Sequence, residues 1–229
     1  ASDKKVYDGN ALTKKEVTVG GDGFAKDEGA TYNVTGTQTN VGESKNTFSY
    51  TLNEGTKADN YTIEKTEGTL KVTPVTDKVT VTITEKSGTA TYDGKEHIVS
   101  GYESMTADNP LYDEDSVEEN PTVMWAAKGT DAGEYPVGIA ADDFKNINTN
   151  FENVEFVVVD GALTITPAPI TLQASSRSKT YDGTPLEADG YGFYEGNLDL
   201  ADDIESVILT GSQTLVGSSS SLITEVIPK

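Results

Sequence analysis

The chain contains no cysteine, a single histidine (His97), a single tryptophan (Trp125) and two methionines. Without thiols there is no disulfide framework, no thiol nucleophile and no Cys/His zinc site. One histidine cannot serve a Ser-His-Asp triad repeated along a chain. The lack of cysteine fits a secreted protein that avoids free thiols, so an extracellular setting is expected. Long apolar runs are missing too: hydrophobic residues make up 35% of the chain, and no run approaches the ~20 residues a membrane-spanning helix needs. No charged-then-apolar leader opens the chain at Ala1, so no signal peptide is expected. Positive charge is scarce, with 17 basic residues against 38 acidic ones and a net charge of −21. Such a chain repels phosphate backbones and anionic membrane surfaces, which argues against nucleic acid as a partner and against direct membrane contact. The same charge keeps an exposed module soluble and discourages edge strands from pairing.

What is present is a repeat. Tyr-Asp-Gly occurs at Tyr7-Asp8-Gly9, Tyr92-Asp93-Gly94 and Tyr181-Asp182-Gly183, with Tyr-to-Tyr spacings of 85 and 89 residues. The flanks repeat as well, as Lys5-Val-Tyr-Asp-Gly against Lys179-Thr-Tyr-Asp-Gly, whereas the middle copy has Ala90 in place of the lysine. A closing signature follows: Gly68-Thr-Leu-Lys-Val-Thr-Pro74 matches Gly161-Ala-Leu-Thr-Ile-Thr-Pro167. Between the two, Thr35-Gly-Thr-Gln-Thr-Asn-Val-Gly42 matches Thr210-Gly-Ser-Gln-Thr-Leu-Val-Gly217, with Lys128-Gly-Thr-Asp-Ala-Gly133 as a looser counterpart. Three signatures in one order define repeats over 1–75, 76–168 and 169–229. The first lacks the alternating segment that precedes Tyr-Asp-Gly elsewhere, and the third ends before a closing signature. The chain is therefore expected to be a monomeric segment of a longer array. Pro74-Val-Thr-Asp77 and Pro167-Ala-Pro169 are short, stiff joints between consecutive units.

Val79-Thr-Val-Thr-Ile-Thr84 alternates apolar and hydroxyl residues, which predicts a strand with Val79, Val81 and Ile83 on one face. Leu70/Val72 and Leu163/Ile165 show the same period. Further strands are predicted at Thr47–Leu52, Tyr61–Lys65, Thr122–Ala126, Tyr135–Ala140, Val154–Val159 and Ser206–Leu209. One helix or turn is conceivable over Leu198–Val207, whose apolar residues recur every third position. The predicted fold is all-β: tandem small β-sandwich (immunoglobulin-like) repeats in an elongated array, with β-grasp-like units carrying one crossing helix as the alternative. In Asp131-Ala-Gly-Glu-Tyr135, Tyr135 is placed to hydrogen-bond back to the backbone and pin a strand corner, as in immunoglobulin-like domains.

The run Gly161–Ala174 followed by Ser178-Lys-Thr-Tyr-Asp-Gly-Thr-Pro-Leu186 resembles the YDG and MBG-type repeats of bacterial cell-surface, adhesin-like proteins. The resemblance covers nearly the whole chain. It implies an array in a secreted or wall-anchored protein, and it implies no catalytic residues, since none are established for those repeats.

Candidate chemistry is sparse. Asp-Gly is a strong turn former, because glycine tolerates positive φ and aspartate bonds to downstream backbone. Asp8, Asp93 and Asp182 are therefore read as turn residues, with Tyr7, Tyr92 and Tyr181 burying their rings. His97 falls where the other copies have Leu12 and Leu186, unless a one-residue slip turns Ile98 inward and leaves His97 outside. Acid pairs such as Asp113/Asp115, Asp142/Asp143 and Asp202/Asp203 are candidate glycosidase groups in principle, but such clusters are expected by chance among 38 acids. Asp113, Asp115, Asp142 and Asp143 supply loop oxygens of the kind calcium takes, although no Asp-x-Asp-x-Asp-Gly loop accompanies them. Trp125 is read as a core residue or a sugar platform, and Tyr191-Gly-Phe-Tyr194 as an exposed aromatic patch or core. A Lys–Asn isopeptide bond would suit a mechanical rod, but spacing alone places no such pair. The expected function is that of a non-catalytic, extracellular structural or adhesive repeat, a stalk or adhesin segment at a bacterial surface or wall. The alternative is a module that binds carbohydrate or a host glycoprotein.

Overall fold

The segment of alternating threonines sets the pattern for the fold. In the computed structural model, which describes residues 1–195 and 204–228, Val79–Glu85 is a strand in which Val79, Val81 and Ile83 are buried and the threonines between them are half-exposed. Period-two burial recurs in Gly68–Thr73, Ala162–Thr166 and Val154–Val159. Side chains of successive strand residues point to opposite faces, so one face of each strand meets the core.

The fold is all-β. Residues 1–75 contribute β1 (Asp3–Val6), β2 (Ala30–Val34), β3 (Gly42–Asn46), β4 (Phe48–Leu52) and β5 (Gly68–Thr73). Residues 76–168 open with β6 (Val79–Glu85), β7 (Gly88–Thr91), β8 (His97–Ser100), β9 (Tyr102–Ala107) and β10 (Val117–Glu119). They continue with β11 (Ala126–Gly129), β12 (Gly133–Pro136), β13 (Phe144–Asn146), β14 (Val154–Val159) and β15 (Ala162–Thr166). The described residues after 168 carry β16 (Thr171–Ala174), β17 (Leu186–Glu187), β18 (Tyr191–Glu195), β19 (Ile204–Thr210), β20 (Ser212–Gln213) and β21 (Leu222–Pro228).

Three sheets have three strands, in the orders β1-β5-β3, β7-β15-β12 and β14-β6-β9, and the remainder are pairs. The first two sheets share one register. The closing-signature strand lies in the middle, parallel to the strand before Tyr-Asp-Gly and antiparallel to the strand that starts at Gly42 or Gly133. Lys5 and Gly42 flank Val72, as Ala90 and Gly133 flank Ile165. Tyr7 N–H donates to the Thr73 carbonyl at 2.9 Å, and Tyr92 N–H to the Thr166 carbonyl at 2.8 Å.

The chain divides into two units: Ala1–Thr84 with Glu103–Met124 and Ile139–Val159, and Glu85–Tyr102 with Trp125–Gly138 and Asp160–Lys229. In the first unit, Leu12, Leu70 and Val72 form a buried cluster with Tyr7 and Val41 packed on it. Phe151 joins this unit's core, with its ring 5.7 Å from Tyr7 and 5.2 Å from Tyr112. The joint at Val75 is held by backbone bonds, Val75 N–H to the Asn150 carbonyl at 2.9 Å and Glu152 N–H to the Val75 carbonyl at 3.0 Å. The second unit buries Ala127, Val137, Leu163 and Ile165.

Four sequence readings change here, the first being the strand over Tyr135–Ala140, which runs instead as β12 over Gly133–Pro136. A β-grasp unit needs a crossing helix, but among the described residues the only helical turns are 3₁₀ turns at Ala58–Asn60, Glu114–Ser116 and Ala141–Asp143. Tyr61–Lys65 is not a strand. Side chains hold it instead: Tyr61 donates to the Glu28 carboxylate and accepts Ala25 N–H at 3.0 Å, and Lys65 Nζ sits 4.9 Å above the Phe48 ring. Thr122–Trp125 is likewise outside any strand, because Asn120 Oδ1 takes the Thr122 N–H at 3.1 Å in a side-chain turn, with Pro121 between them. In the Leu198–Val207 reading, Ile204–Val207 belongs to β19 and the residues before it lie outside the described ones.

Candidate functional site

The three Tyr-Asp-Gly motifs are the most repeated constellation, and each builds the same turn. Asp8 Oδ1 accepts Asn10 N–H at 2.9 Å, Asp93 Oδ1 accepts Lys95 N–H at 3.0 Å, and Asp182 Oδ1 accepts Thr184 N–H at 2.9 Å. The intervening Gly9, Gly94 and Gly183 have φ of 78°, 75° and 82°, a region costly for residues with a Cβ. A basic side chain completes each turn. Lys5 Nζ reaches Asp8 and donates to the Asn10 carbonyl at 2.6 Å; Lys179 Nζ reaches Asp182 at 2.9 Å and the Pro185 carbonyl at 3.1 Å. The middle copy has Ala90 at the lysine position, and there His97 Nε2 lies 2.9 Å from Asp93 Oδ1. These bonds hold all three carboxyls below the usual carboxylate range: first through Lys5 and Lys179 at Asp8 and Asp182, and first through the Lys95 amide and then His97 at Asp93. The carboxylates are thereby engaged within their own turns.

The tyrosines differ among themselves. Tyr7 and Tyr92 are half-buried, but Tyr181 is 58% exposed, contrary to the expectation that all three rings bury. Tyr7 and Tyr92 follow strands paired to a closing-signature strand, and among the described residues the third motif has no such partner. His97, at the start of β8, is half-buried and faces Gly129, whereas Ile98 is exposed, so the one-residue slip does not occur. The Tyr135 hydroxyl donates to the Asp131 carbonyl at 3.0 Å, and its ring lies where a Cβ on Gly129 would be, 2.2 Å away.

The acidic loops sit in the first unit. Asp113 Oδ1 accepts the Ser116 hydroxyl at 2.9 Å, and Asp113, Glu114 and Asp115 rim a cavity of about 440 Å³ whose floor includes Val81, Met105 and Tyr112. Asp143 accepts Ala140 N–H at 3.0 Å and the Asn120 amide at 3.2 Å, so it shapes its 3₁₀ turn, and Asp142 beside it is exposed. Among the described residues no group of three or more His, Asp or Glu is placed to hold a metal ion. Asp202 and Asp203 lie outside the described residues.

Tyr112 is the titratable group this loop perturbs most. It is buried and donates to Asn146 Oδ1 at 3.0 Å and to the Ser116 carbonyl at 3.2 Å. Burial, reinforced by the neighbouring Asp113 charge, pushes its hydroxyl up to about 12. A raised tyrosine value stabilises the fold fully below the unfolded value of about 10 and loses that contribution as pH rises through the folded one. Stability is therefore expected to fall by on the order of 2 kcal/mol between pH about 10 and 12. Urea melts of the wild type and Tyr112→Phe across that range measure it, and equal losses in both proteins would rule this origin out.

Two features escaped the sequence reading. Glu85 continues the inward face of β6 and is almost fully buried, accepting the Gly161 N–H at 2.7 Å; the period of two pointed to it, but its charge argued for the surface. The other is an aromatic groove of about 170 Å³ lined by Phe24, Tyr32, Phe48, Tyr50 and Tyr61. Tyr32 faces Tyr50 across β2 and β4, and the Phe24 and Tyr61 rings meet edge-on at 5.0 Å. Of the aromatics singled out from sequence, Trp125 is half-buried, 6.2 Å from the Tyr102 ring, and Tyr191 is 39% exposed on β18. The Tyr194 side chain lies outside the described residues.

An all-β module whose repeated motif shapes turns is the class these observations define. Residues 78–167 match the MBG domain family. No curated protein matches the chain, and no solved structure does. Among the described residues no helix is long and apolar enough to cross a membrane.

Proposed function

We propose that the chain is a non-catalytic structural or adhesive repeat module, a stalk or adhesin segment of an extracellular bacterial surface protein. The observation that carries this reading is the engagement of Asp8, Asp93 and Asp182 within their own turns, where each carboxylate accepts the amide two residues on. A repeated acidic motif engaged by its own turn serves folding. The MBG match over residues 78–167 and the net charge of −21 support the same reading. Antibodies raised against the chain are expected to label intact cells that express the parent protein. Label that appears only after lysis would reject the surface assignment.

A second reading, carbohydrate binding, is favoured by the groove around Tyr32, Phe48 and Tyr50, since aromatic faces stack on sugar rings. Its test is a glycan array: saturable binding that Tyr50→Ala removes would support it, and a blank array would end it.

A further inference from the structure

Two parallel ladders join the opening and closing segments of residues 78–167. β6 runs parallel to β14, with Val79 facing Val154 and Thr84 facing Val159. β7 runs parallel to β15, with Gly88 facing Leu163 and Thr91 facing Thr166. In both ladders each residue faces the one 75 positions further on. The first ladder lies in the first unit and the second ladder in the second. The chain passes from β6 to β7 and from β14 to β15 through short steps. There Gly161 N–H donates to Glu85 Oε2 at 2.7 Å, and Ala162 N–H to Ser87 Oγ at 3.4 Å. Single bonds extend the ladders outward, Val79 N–H to the Asn153 carbonyl at 2.9 Å and Tyr92 N–H to the Thr166 carbonyl at 2.8 Å. β1 and β5 show the same parallel pairing, from Asp3 facing Leu70 to Val6 facing Thr73.

Parallel pairing decides how tension along the chain is met. The chain continues on both sides of this segment, so tension reaches β6 at Val79 and leaves β15 at Thr166. In the first ladder, β6 is drawn at Val79 and β14 at Val159. Because the strands are parallel, those residues lie at opposite ends of the ladder. The strands are pulled past each other, and all the rungs are strained together. The second ladder is drawn in the same sense, at Gly88 and Thr166. An antiparallel hairpin drawn by its two free ends parts from one end instead, a bond at a time. Side chains oppose sliding as well. A slip of one residue would turn buried Val79, Val81 and Ile83 to the other face, and likewise Leu163 and Ile165. Residues 92–153 leave the ladders after Thr91 and rejoin them at Val154, off the path of the tension.

We propose that residues 78–167 act as a mechanical clamp, which carries tension along the chain through β6–β14 and β7–β15 loaded in shear. The inference rests on the reading of the chain as a structural module and adds the direction of load that the module withstands. Forced unfolding is governed by the barrier to unfolding and not by equilibrium stability alone. Here that barrier includes the joint loss of main-chain rungs and of the buried faces of β6 and β15. The clamp keeps the segment folded while its two ends are drawn apart.

The chain has no cysteine, so a pair of introduced cysteines gives a force probe its only thiol attachment points. Asp77→Cys with Ala168→Cys draws the ladders in shear. Asp77→Cys with Asn153→Cys grips β6 and β14 at the same end and unzips them. All three positions lie outside the strands, and Asp77 and Asn153 are exposed. Pulled as single molecules at one speed, the shear pair is expected to rupture at about twice the force of the unzipping pair or more. Rupture should release about 250 Å of chain, the reach of the 75 residues that the ladders bypass. Equal rupture forces in the two geometries, or gradual lengthening of the shear pair without a rupture peak, would overturn the proposal. The measurement is made on the purified chain and stands apart from the labelling of intact cells. A weak shear pair beside positive labelling would reject the clamp and keep the surface assignment, and a strong one without labelling would do the reverse.

Discussion

Leu70→Ala is expected to lower the unfolding free energy by about 3 kcal/mol, measured by urea denaturation at neutral pH. Leu70 is 0% exposed in the middle strand of its sheet, with Leu12 and Val72 buried beside it. Truncation removes the transfer free energy of the lost carbons and leaves a cavity in a cluster held on both sides by strands, where collapse is restricted. Leu163→Ala, at the matching place in β15, is expected to behave alike. Val19→Ala, at a position 48% exposed, should change stability by less than about 0.5 kcal/mol. A loss below about 1 kcal/mol at Leu70 would mean that β5 is not the centre of its sheet.

Gly161→Ala is expected to destabilise by about 2–3 kcal/mol, through crowding. A Cβ at Gly161 would stand 2.4 Å from the Lys86 carbonyl oxygen and 2.9 Å from the Glu85 carbonyl carbon, both backbone atoms that no side-chain rotation can move aside. Gly161 N–H also donates to the buried Glu85 side chain, so displacing it weakens a buried hydrogen bond. The counterpart Gly68 meets the Ala1 carbonyl oxygen at 2.1 Å by the same construction. The glycine that opens each closing signature is there because the strand passes against the backbone six residues before Tyr-Asp-Gly. Thermal melts of Gly161→Ala and Gly161→Ser test this, and a variant as stable as the wild type would refute the close approach.

These effects mark how far the chain could be read without coordinates. The inward face of β6 followed from alternation alone, because a strand sends successive side chains to opposite faces whatever it packs against. The Tyr-Asp-Gly turns were legible for a similar reason: an aspartate reaching the amide two residues on, beside a glycine at positive φ, is a local event. Tyr61–Lys65 misled because its β-rich composition serves side-chain anchoring to Glu28 and Phe24 and contributes to no ladder. Composition reports what suits a pleated surface and says nothing about whether a partner strand is there.

The sequence by itself determined the strand faces, the turns and the repeat, all of which depend on covalent geometry and on neighbours within a few residues. Only the tertiary structure decided which strand lies between which. It set Phe151 against Tyr7, turned Glu85 inward onto Gly161, gathered four aromatics around Tyr50 and left Tyr181 uncovered. Those outcomes depend on contacts between residues far apart in the chain, and such contacts leave no period or spacing for a linear reading to find.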